Sequence, residues 1–102
     1  LAELSPSGDR AELMALVDRI DQLLQQMIDQ QRHRTTRIAQ RIQPDLSEDD
    51  LRDPHSFPQV NSRPEFAYED GILAGLISAQ VALLREMGEH VRALPAAPDP
   101  PT

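Results

Sequence analysis

The sequence has no cysteine and no lysine, and its only aromatic residues are Phe57, Phe66 and Tyr68. Without cysteine there are no disulfide frameworks, thiolate zinc sites, iron–sulfur clusters or thiol nucleophiles. Ten arginines face seventeen Asp and Glu, a formal charge of −7. Such a surface repels phosphate backbones and anionic lipid headgroups, so no nucleic-acid partner is expected. The longest apolar stretch, Gly71 to Leu84, is interrupted by Ser78 and Gln80. It falls short of the ~20 residues needed to cross a bilayer, so no membrane span is expected either. Hydrophobic residues make up 39 % of the 102 residues, below the usual globular share, and the nine prolines are unevenly placed. Position 1 is Leu rather than Met, which reads as a trimmed chain and leaves an upstream segment open; a cytoplasmic location is the expectation.

Two stretches carry helical periodicity. Apolar residues recur at Leu13, Val17, Ile20, Leu24 and Met27, with Leu16, Leu23 and Ile28 widening the stripe. The steps alternate between four and three, the spacing of a coiled-coil face. The same steps continue through Gln31 and Arg34, so the seam turns polar before Ile38 and Ile42 resume it. Asp9 to Glu12 has capping-box spacing, Ser5-Pro6 is a competing start, and Pro44 blocks continuation. A helix over about 10–43 follows, roughly 50 Å long. The second helix is expected over about 66–94, ended by Pro95, with a stripe at Leu73, Leu76, Gln80, Leu83, Met87, Val91 and Leu94. Segment 44–65 holds Pro44, Pro54, Pro58 and Pro64 and reads as a long connection, with one possible turn capped by Ser47. Segments 1–8 and 95–102 read as flexible flanks. The expected fold is all-α: a long antiparallel helical hairpin with a proline-rich connection.

Gly71, Gly75, Ser78 and Ala82 fall on one face of the second helix. Each interior glycine costs about 0.8–1 kcal/mol relative to Ala, which is more easily explained if another helix packs closely there. Leu-type knobs on one side and small residues on another imply two neighbours, whereas a lone hairpin supplies one. Two long helices also bury too little surface to offset their ordering entropy. The expectation is a homodimer closing a four-helix bundle, with the Leu/Ile seams and the small-residue face as contacts. The aromatics lie within or beside the proline-rich stretch, where Phe57, Phe66 and Tyr68 either plug the open end of the hairpin or anchor an unidentified protein partner.

Arg34, Arg37 and Arg41 share one side of the first helix. They either pair with Glu65, Glu69, Asp70 or the acids at 45–50, or form an anion site. Pairing residue 38 with 71 would set Gln31, Arg34 and Thr35 opposite Gly75, Ser78 and Ala79. A notch would result, lined by those polar residues with Gln80, able to hold an anionic small molecule. Val17 to Leu24 with the downstream Arg-rich stretch resembles the first helix of all-helical chorismate mutases, over about a quarter of the chain. That resemblance implies an intertwined helical dimer whose arginines grip a dicarboxylate. The family's second short helix and its motif have no counterpart in 44–65, and lysine is absent. Asp29/His33 and Glu86/His90 are i, i+4 pairs without the Glu-x-x-His pattern of di-iron bundles, so no metal or cofactor is expected. No spacing requires a nucleophile to meet a base, and the principal reading is a non-catalytic interaction or assembly module.

Overall fold

The structure is a computed structural model that describes residues 6–94. Helix α1 spans Pro6–Ile42, two single 3-10 turns span Asp50–Arg52 and Pro54–Ser56, α2 spans Pro58–Asn61, and α3 spans Pro64–Ala93. There is no strand among the described residues, so the fold is all-α. Helix α1 begins at the competing proline start, four residues before the capping-box reading. A proline at the first helical position loses no intrahelical bond and has a preset φ. It thus takes in residues 6–8 of the segment expected to be flexible; residues 1–5 and the 95–102 tail lie outside the described residues. At the far end, Leu94 is extended, as the residue before a proline tends to be.

The connection departs from expectation. Pro54, Pro58 and Pro64 each open a helical turn or helix, so prolines that read as breakers act as initiators. Ser47 and Asp50 cap one another, with Ser47 N–H donating to Asp50 Oδ2 at 2.9 Å and Asp50 N–H donating to Ser47 Oγ at 3.2 Å. The Gln40 side chain donates to the Leu46 carbonyl at 2.9 Å, tying the exit of α1 to its own last turns.

These turns carry Leu46 and Val60 inward. With Ala39 and Phe66 they form the buried core, and Ile38, Ile42, Leu51 and Phe57 pack around it. The core therefore sits at the closed end of the hairpin. Beyond it the helices run on as a bare antiparallel pair, in a molecule whose extents are 67 × 22 × 22 Å. The radius of gyration is 20.2 Å, against about 13 Å for a compact chain of this length.

Two polar contacts set the register. Gln31 faces Glu69, and Gln80 reaches Asp21 at 3.3 Å and Gln25 at 3.0 Å. Residue 38 therefore lies nearer 66 than 71, more than a turn from the expected pairing. The shift has a local cause: α3 starts as soon as Pro64 permits, and Phe66 is drawn into the core beside Ala39.

Candidate functional site

The expected inner seam is partly realised. Leu13, Val17, Ile20 and Leu24 of α1 and Leu73, Leu76 and Met87 of α3 are half-buried between the helices. Ile38 is half-buried against the core. Met27 and Leu83 are exposed. Along the bare pair, burial is confined to Ile28 and Val91 with Thr35 and Thr36 nearer the core. Leu46 and Val60 are core residues that sequence reading passed over. Their one signal was being isolated apolar residues between prolines, too short a pattern to carry a period.

The small-residue line lies on the back of α3. Gly71, Gly75, Ser78 and Ala82 are all exposed, and nothing comes within 4 Å of where a Cβ on Gly71 or Gly75 would sit. Among the described residues, no helix packs there.

The three aromatics separate. Phe66 is 0 % exposed at the centre of the core and Phe57 is half-buried against it. Phe66 is thus wholly taken up in closing the hairpin end, while Phe57 packs on the core with part of its ring still exposed. Tyr68 is 69 % exposed on the solvent side of α3.

The arginine triad has no ion-pair partner among the described residues. Arg34, Arg37 and Arg41 are exposed, and the ion pairs among the described residues are His33–Glu48 at 2.9 Å, Arg52–Asp49 at 3.3 Å and Arg85–Glu89 at 3.9 Å. Several expected partners are engaged elsewhere: Glu69 accepts from Gln31, Glu48 meets His33, and Asp50 caps Ser47. The Arg-lined notch is not assembled. Gln31 lies against Glu69, and Gln80 lies eleven residues further along α3, about 16 Å away at 1.5 Å per residue. Thr35 donates its hydroxyl proton to the Gln31 carbonyl at 2.8 Å.

Several open grooves flank the helix pair, and two of them bear on the expected site residues. One, beside the connection, is lined by Arg32, Thr35, Thr36, Asp70, Ala74 and Ile77. The other, toward the open end, is apolar and lined by Leu13, Leu16, Ile20, Glu86, Met87 and His90. Among the described residues no group of three His, Asp or Glu could hold a metal ion. Helix α3 is long and apolar enough to cross a membrane by length and composition alone. Its charge-free run Gly71 to Leu84 covers only about 21 Å, and Gln80 within that run hydrogen-bonds to α1.

The class that the fold defines is therefore an all-α helical hairpin with a packed connection and two under-covered helices. Comparison with family models, with curated proteins and with solved structures found no match.

Proposed function

We propose that the chain is a non-catalytic helical assembly module that forms a homodimer, two hairpins closing a four-helix bundle. The observation that supports this is the exposure of large apolar side chains along the bare pair: Leu16 at 53 %, Leu23 at 56 %, Met27 at 41 % and Leu83 at 45 %. Exposed singly such residues need no explanation, but here they recur at helical spacing on elongated helices whose own core lies at one end. A second hairpin laid on this layer would remove them from water at about 25 cal/mol per Å2 and supply the neighbours that one chain lacks.

Sedimentation equilibrium over a wide concentration range tests the proposal, with the 11.4 kDa chain as reference. A species near twice that mass is expected. A folded monomer at every concentration would remove the reading.

A further inference from the structure

Beside the seam that packs on α3, helix α1 carries a charge-graded face on which Leu16, Leu23 and Met27 are exposed while Leu13 and Ile20 are half-buried. Two heptad lines run side by side on it: Asp9, Leu16, Leu23, Gln30 and Arg37, and Leu13, Ile20, Met27, Arg34 and Arg41. The face begins acidic, with Glu12 one turn from Asp9. It is apolar in the middle, where Leu16, Leu23 and Met27 are exposed, and ends in three arginines without an ion-pair partner among the described residues. From Asp9 to Arg34 is about 37 Å of helix.

A face that runs from acid to base is complementary to its own reverse. From this we infer that a second copy of the chain docks α1 antiparallel on α1, about a two-fold axis between Asp21 and Gln22. This rests on the self-association proposed above and specifies its interface. Under that symmetry Leu16 meets Met27 of the second copy, Ile20 meets its Leu23, and Asp9 meets its Arg34, each contact occurring twice. The two heptad lines exchange places across the axis, so the register that brings Leu16 to Met27 and Ile20 to Leu23 also brings Asp9 to Arg34, with Leu13 falling against Gln30.

Helix α3 agrees with this arrangement. Leu16 and Ile20 share a groove with Glu86, Met87 and His90, so the exposed Leu83, on the same turns as Glu86 and Met87, lies on the same side of the hairpin. Gln80 is level with Asp21, which puts Leu83 within a turn of the axis, facing its own copy. The glycine-lined back of α3 stays outside this interface. The fit also gives Arg34, which has no ion-pair partner among the described residues, an acidic partner in the second copy.

The test is a charge exchange read by sedimentation equilibrium. Arg34→Glu and Asp9→Arg should each weaken the dimer about tenfold, since each turns two attractive contacts into repulsive ones. The double variant should recover most of the wild-type affinity. A site-directed cross-link gives an independent readout in a chain with no native cysteine. With a short bismaleimide, Leu23→Cys should yield cross-linked dimer and Gly75→Cys should not. If wild type dimerises but the charge variants match it, or if Gly75→Cys cross-links in place of Leu23→Cys, this interface is wrong while self-association stands. A wild type that is monomeric throughout overturns both.

Discussion

Gln31 and Glu69 are joined twice across the hairpin: the Gln31 side-chain amide donates to the Glu69 carbonyl oxygen at 2.9 Å and to Glu69 Oε2 at 2.6 Å. This pair occupies the polar interruption of the α1 seam. It holds the register that puts Thr35 inward and leaves Arg34 outside.

Removing the amide should therefore be felt. Gln31→Ala is expected to lower stability by about 1 kcal/mol, the usual net worth of a hydrogen bond between partly buried groups. Gln31→Glu should lose more, because it sets a second carboxylate against Glu69. Urea unfolding checks both, with the midpoint falling and the slope unchanged; a Gln31→Glu protein as stable as wild type would contradict the contact.

Phe66 and Tyr68 are two residues apart and should behave oppositely. Phe66→Ala empties the centre of the closed-end core and is expected to cost about 3–5 kcal/mol. Tyr68→Ala touches an exposed ring and should change stability by no more than about 0.5 kcal/mol. Equal losses in chemical denaturation would mean that the core is misplaced.

The connection should be resistant to cleavage. With Leu46 and Val60 buried, trypsin should cut slowly after Arg52 in the native protein. Leu46→Ala, at about 2–5 kcal/mol, should expose this site. Fast cutting of the wild type after Arg52 would mean that the connection is not packed.

Gly75→Ala should stabilise the protein by about 0.8–1 kcal/mol, since nothing stands within 4 Å of the new methyl group and the residue lies inside a helix. Thermal melting measures the gain. In the proposed dimer, an unchanged mass would place the back of α3 outside the interface, whereas loss of association would place it inside.

Much of this architecture was legible from local rules. The steps of three and four from Leu13 to Met27 and from Leu73 to Leu94 mark long helices wherever they occur, and Pro44 and Pro95 end them by backbone chemistry alone. The connection was harder. A proline reads the same whether it breaks a helix or opens one, and the difference depends on whether Leu46, Val60 and Phe66 can be buried together. The arginine triad was visible as a cluster, but its lack of ion-pair partners among the described residues was not. That depends on which acids Gln31, His33 and Ser47 had already engaged.

Periodicity, caps and prolines determined by themselves that this chain makes two long amphipathic helices, because those signals act within a few residues of backbone. The register, the location of the core and the outward turn of the glycine line were decided by tertiary packing. They follow from burying Phe66 beside Ala39 and pairing Gln31 with Glu69, contacts between residues 27 and 38 positions apart that no local pattern encodes.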